Sequence, residues 1–276
     1  MKEIISEYDP RTGEYQRIVR DYLIPDHKPI VGYWKSGDPS HNCGYIESCL
    51  EEINIIRTRN LSDEFNQMLV RNKHRVFLHL LISGLNNTIV EPNIPPVRHI
   101  FNKLIELINA GFPQRQILVV VDPVIQNDNG LKTLELILRA FTEYKNIRLR
   151  FIRFCLLRYK DENGKTIIAN PLIMNRTGIM KVLPFIKKTP DFYARYKAML
   201  ARYQSIICVD DGMEATIGTR ELSALGYKNE WFDKKHNVGG PIITYKNNHR
   251  WEPDVKIISG RTFRCSNKCL LCPYYG

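Results

Sequence analysis

The sequence predicts an α/β fold, a partial or irregular (β/α) barrel with mostly parallel strands. Three observations carry that expectation. Short β-branched, apolar runs alternate along the chain with segments of helical periodicity. Most of those runs are closed by Gly, Asp-Pro or Asp-Gly punctuation. The chain has 276 residues and 43% hydrophobic side chains, enough for a single barrel-type domain with a real core. Strand and helix in alternation make a parallel sheet with crossovers. About six or seven strands suit a partial barrel better than a complete eightfold one.

The elements follow in order. Residues 30–34 form a first strand. Residues 46–57 read as a helix, with Ile46, Leu50, Ile53 and Ile56 on one stripe. Ser62 is the N-cap of a short second helix. Residues 75–82 are a strand bounded by Ser83-Gly84. In residues 97–110, Val97, Ile100, Phe101, Leu104, Ile105 and Ile108 share a helical face that Gly111 ends. Residues 117–121 are a buried strand stopped by Asp122-Pro123. Residues 131–144 form an amphipathic helix after Asp128-Asn129-Gly130, and residues 147–155 a strand. Asn163-Gly164 predicts a hairpin insertion over residues 156–170. Thr189-Pro190 opens a helix to about Tyr203. Residues 205–209 and 255–259 complete the strands. In such folds chemistry gathers at the C-terminal strand ends. Those ends are Ser83-Gly84, Asp122-Pro123, Phe154-Cys155 and Asp210-Asp211.

No run reaches the roughly 20 apolar residues of a membrane helix, so no membrane association is expected. Charges within residues 1–11 stand where a signal peptide has its apolar core, which points to the cytoplasm. The net charge is +11. Lys145, Arg148, Arg150, Arg153, Arg158 and Lys160 crowd residues 145–160 with no acid among them. Residues 241–276 form a second basic segment. The excess suits an anionic partner such as nucleic acid; a solvated basic surface is the plainer account. Seven cysteines, an odd number, argue against a disulfide framework in a cytoplasmic protein.

Cys265, Cys269 and Cys272 are spaced C-x3-C-x2-C. Thiolates are the preferred ligands of iron–sulfur clusters. These gaps let one short loop hold a 4Fe-4S cubane through three irons and leave the fourth open to a small molecule. S-adenosylmethionine has the amine and carboxylate to bind there, and reduction then cleaves it to a carbon radical. Structural zinc is the alternative, with His249, or the pair His41 and Cys43, completing a tetrahedral site.

The triad resembles the motif of the radical SAM superfamily. Leu271 stands where that superfamily usually has an aromatic residue, and its cysteines usually follow the first barrel strand. A largely uncharacterised branch related to spore photoproduct lyase carries them near the C-terminus. Gly84 followed by Val90-Glu91-Pro92-Asn93-Ile94-Pro95, and Gly111 followed by Val119 to Ile125, are also similar to that branch. The resemblance implies one radical-SAM-like domain over residues 1–276, with 241–276 binding the cluster. It implies a lyase or transferase that uses S-adenosylmethionine, an electron donor as partner, and a nucleotide or nucleic acid as substrate.

Ser83, Gly84, Glu91 and Asp122 are the candidate cofactor contacts. Each lies at or just after a strand end within the similar segments. Glu91 is placed to hold an ammonium or ribose, or else is a turn residue; Asp122 contacts ligand or caps the next segment. Cys155 is a candidate hydrogen-atom donor, or a small core residue. Arg148 and Arg150 share a strand face and either hold an anion or are solvated. Asp210 and Asp211 read as paired carboxylates or as a turn before Gly212. His79 reads as a core residue, and Tyr274 and Tyr275 as a shield for the cluster, a stacking platform or a loose tail. Two rival functions stand beside the enzyme: a zinc-stabilised nucleic-acid-binding protein, and an iron–sulfur protein that only transfers electrons or regulates.

Overall fold

The computed structural model describes residues 2–9, 14–21, 31–144, 147, 149, 151–157, 186–203, 208–210, 255–259, 267 and 269. Strands β1 (Lys2–Asp9) and β2 (Glu14–Asp21) pair antiparallel as a separate two-stranded sheet that the sequence reading left unassigned. The main sheet holds β3 (Val31–Ser36), β4 (Ile53–Thr58), β5 (Val76–Leu81), β6 (Ile117–Val124), β7 (Phe151–Leu156), β8 (Cys208–Asp210) and β9 (Val255–Ser259). Their order is β8-β7-β6-β5-β4-β3-β9, and every neighbouring pair is parallel.

Among the described residues, helices α1 (Cys43–Ser48), α2 (Asp63–Arg71), α3 (Val97–Asn109), α4 (Asp128–Glu143) and α5 (Phe192–Tyr203) fall one in each connection from β3 to β8. Successive strands lying side by side in chain order is the arrangement of a barrel rather than of a doubly wound sheet. Strands β8 and β9 are the two edges and do not pair with each other among the described residues. The sheet is therefore open, consistent with a partial barrel.

One expectation fails. Residues 46–57 are not a helix: α1 stops at Ser48 and residues 53–58 form β4. The stripe of Ile46, Leu50, Ile53 and Ile56 fits helical spacing. However, Ile53, Ile55 and Ile56 crowd one short stretch, and residues 53–56 are buried on both faces between β3 and β5, with Asn54 Nδ2 bonded to the Glu51 carbonyl. A parallel strand covered on both sides needs that pattern. Smaller shifts occur at other ends. Helix α4 begins earlier than expected, at Asp128, capped by the Asn127 side chain, which accepts from the Gly130 amide at 3.0 Å. Strand β6 runs through Asp122-Pro123, whose peptide is cis, to Val124. Strand β7 begins later, at Phe151. Ser62 caps α2 as expected, accepting from the Phe65 amide at 3.2 Å. The expected hairpin over residues 156–170 lies almost wholly outside the described residues, as do Arg148, Arg150, Asp211, His249, Tyr274 and Tyr275.

The period of two along each strand divides the sheet into two faces. Val76, Leu78, Leu80 and Ile82 join Val119, Val121, Ile152 and Phe154 in one core with α1 to α5. Phe77, His79 and Leu81, with Leu118, Val120 and Arg153, lie on the opposite face and are also buried. His79 is 0% exposed with the Phe77 ring edge-on at 5.5 Å, a core position as expected.

Candidate functional site

The parallel strands bring their C-terminal ends to one side, and a connected set of polar side chains lies there. Strand β3 leads into Asp38, which is buried. Its Oδ1 accepts from the Ser40 amide at 3.1 Å, the Ser40 hydroxyl at 2.8 Å and the Thr58 hydroxyl at 2.6 Å. Its Oδ2 accepts from the Arg59 amide at 2.8 Å and from Asn267 Nδ2 at 2.8 Å. The carboxylate thus ties the end of β3 to the end of β4 and to the segment that follows β9.

Arg59, immediately beyond β4, reaches across the sheet. Its Nη1 donates to Glu91 Oε1 at 2.9 Å and to the Asp122 carbonyl at 2.9 Å. The other Glu91 oxygen accepts from the Ser83 hydroxyl at the end of β5. The Glu91 side chain is 3% exposed, so this carboxylate is closed in by Arg59 and Ser83. Asp122 differs. Arg57 Nη2 and Arg59 Nη2 each lie 3.9 Å from its Oδ2, and 30% of its side chain remains open to solvent. Of the two candidate carboxylates, Asp122 is the one open to solvent. Asp38, Arg59, Glu91, Ser83, Asp122 and Asn267 form one chain of contacts over the ends of β3, β4, β5 and β6.

Gly84 follows Ser83 with φ 76° and no room for a Cβ, because one would overlap Thr133 Cγ2 on α4. Its place in the site is a close approach between the β5 end and α4. Beside it a cleft of about 280 Å³ runs between Ser83, Val121, Val124, Gly130, Leu134 and Ile186. Its walls are mainly apolar, and Ser83 joins it to the polar chain. Cys155 on β7 is partly exposed. By strand alternation it shares a face with Arg153, opposite the helix-packed Phe154.

Of the motif cysteines, Cys269 is described and is buried, 6% exposed. Cys265 and Cys272 lie outside the described residues. Among the described residues no three His, Cys, Asp or Glu side chains gather as a metal site. Asn267, between Cys265 and Cys269 in sequence, is 2% exposed against Asp38 and His41. Asn267 of the motif therefore lies at the strand ends. Cys269, two residues on, offers a buried thiol, the donor type that iron–sulfur clusters take. The alternative pair of zinc ligands, His41 and Cys43, lies on the segment that Asn267 meets. His41 Nε2 is 2.7 Å from Asn267 Oδ1, and Cys43 Sγ is buried 3.8 Å from the Ser40 carbonyl.

Burial, and then the charge of Glu64, push the Cys43 thiol up from 9.0 to about 11. The neutral thiol therefore favours the folded state fully below pH 9, and that contribution fades as the pH rises through about 11. Alkylation of the native protein at pH 8 is expected to leave Cys43 unmodified over hours and to modify it once the chain is denatured. Mass analysis of the Cys43 peptide checks this; rapid native modification would mean that α1 opens.

The sequence reading missed Asp38, Arg57, Arg59 and Asn267. The only local signal was Ser36-Gly37-Asp38 after a strand, a turn pattern that also marks a strand end. No protein-family model matches the chain, and no curated protein or solved structure is significantly similar to it.

Proposed function

We propose that this chain is a radical SAM-type enzyme. In this reading Cys265, Cys269 and Cys272 hold a 4Fe-4S cluster beside the C-terminal strand ends. The observation that carries the proposal is the place of β9. The resembled superfamily usually has its cysteines after the first barrel strand. In this chain they follow β9, which is the edge strand of the sheet and lies parallel to β3. Counted across the sheet from that edge, the order is β9, β3, β4, β5, β6, β7, β8. The motif is late in sequence yet follows the first strand in space.

When bound, the cluster supplies the electron that cleaves S-adenosylmethionine. The chain's own residues then have separate tasks. Asp122, partly open beside two guanidinium groups, holds an ammonium or hydroxyl of the ligand. Glu91 and Ser83 shape the site through Arg59 rather than meeting the ligand first. The apolar cleft next to Ser83 takes a flat, apolar group and keeps water from it. Cys155, partly exposed on β7, is the proposed hydrogen-atom donor to the substrate. The basic composition favours an anionic substrate, a nucleotide or nucleic acid. An external one-electron donor is the expected partner, and the reducing cytoplasm, where thiolates stay available as ligands, the expected compartment.

Iron, sulfide and the absorption spectrum of protein purified without oxygen test the proposal. The expected wild type is brown, with about four irons per chain, and Cys269→Ala loses them. The reduced protein then releases methionine from S-adenosylmethionine. A colourless protein with about one zinc sinks the reading and promotes a zinc-stabilised nucleic-acid binder. A brown protein that leaves S-adenosylmethionine intact sinks the enzyme and promotes electron transfer.

A further inference from the structure

The Asp38 carboxylate has four donors from its own neighbourhood: Ser40 N–H, Ser40 O–H, Thr58 O–H and Arg59 N–H. All four come from residues 40–59, so the ends of β3 and β4 assemble this acceptor without help from distant sequence. The fifth donor, Asn267 Nδ2, arrives from far along the chain at 2.8 Å. Its direction also fixes the amide. With Nδ2 donating to Asp38, Asn267 presents Oδ1 to His41, so His41 Nε2 carries the proton in that 2.7 Å bond.

Asn267 is two residues from Cys265 and two from Cys269. A fixed amide at that point restrains both cysteines. We infer that Asp38 and Asn267 form a latch that seats the cysteine loop on the strand ends, with Asp38 as the positioning residue and His41 as its second support. The latch deepens the cluster reading, on which its purpose rests, but its contact is independent of any metal. The receiver on β3 and β4 is complete before the loop docks. Loss of Asn267 therefore frees the loop and leaves the sheet intact.

The test uses the full-length, metal-free protein and the alkylation rate of Cys269, read by peptide mass, with Cys43 in the same molecule reporting on the fold. In Asn267→Asp two carboxylates face each other, and Cys269 should react faster by about 10- to 100-fold, the range of a charge-assisted hydrogen bond. Cys43 should stay protected. An unchanged Cys269 rate in Asn267→Asp overturns the latch. Joint exposure of Cys269 and Cys43 in that variant also overturns it, since Asn267 would then be part of the core. Iron uptake by wild type decides the cluster separately: a protein that takes up no iron sinks that reading while the thiol rates still decide the latch.

Discussion

Arg59→Met is expected to destabilise the protein by about 3–5 kcal/mol, the cost of stranding a buried charge. The substitution keeps an unbranched side chain of similar length and removes the guanidinium. Glu91, 2% exposed, then keeps only the Ser83 hydroxyl at its carboxylate, and the Asp122 carbonyl loses its donor at 2.9 Å. Two acceptors over the ends of β5 and β6 are affected by one change. Thermal unfolding should fall by roughly 10 °C for a chain of this size. Glu91→Gln alone should cost less, because the amide oxygen still accepts from Ser83 and Arg59 keeps Asp122. Joining Glu91→Gln to Arg59→Met should recover part of the loss, since no unpaired carboxylate remains. A double variant no better than Arg59→Met would show that Glu91 is not the group left exposed to the cost. The ligand arm of the site is distinguishable too. Asp122→Asn should leave stability nearly unchanged, because its side chain is partly solvated and its ion pairs are long at 3.9 Å.

These contacts explain what the sequence did and did not reveal. The cysteine motif and strand β9 are local patterns, and both could be read directly. Ser62 and the helix of Val97–Asn109 were legible for the same reason: capping and periodicity act over a few residues. The partnership of β9 with β3 is not local, and no pattern within either strand names its neighbour. Arg59 was hidden by the misread segment before it. Once residues 46–57 are taken as one helix, Thr58 and Arg59 become a helix end instead of the end of a buried strand. Asp38 and Asn267 each resemble ordinary turn residues, and only their meeting across the fold gives them a role. Glu91 was read either as a carboxylate for a ligand or as a turn residue, and the partners that determine its use were not legible. With Arg59 and Ser83 on its two oxygens, it serves the architecture of the site.

Gly84 shows the same displacement of role, and it yields a sharp expectation. Gly84→Ala should destabilise by about 2–4 kcal/mol, from two separate causes. At φ 76° a side chain costs about 1 kcal/mol relative to glycine. The new methyl also overlaps Thr133 Cγ2 on α4, and overpacking of this kind adds about 1–3 kcal/mol. Thr133 is β-branched within a helix, so it turns away only by leaving its favoured rotamer. Thr133→Ser removes the offending methyl and should be nearly neutral alone. Combined with Gly84→Ala it should leave only the backbone cost, about 1 kcal/mol. Urea unfolding of the four proteins measures the coupling directly. Full recovery in the double variant would mean that the backbone at Gly84 relaxes freely. No recovery would mean that the β5 end and α4 do not meet through Thr133, and the cleft between them would need another wall. The predicted partial recovery places Gly84 where it holds the cleft's shape, one residue from the Ser83 hydroxyl that joins the cleft to the polar chain over the strand ends.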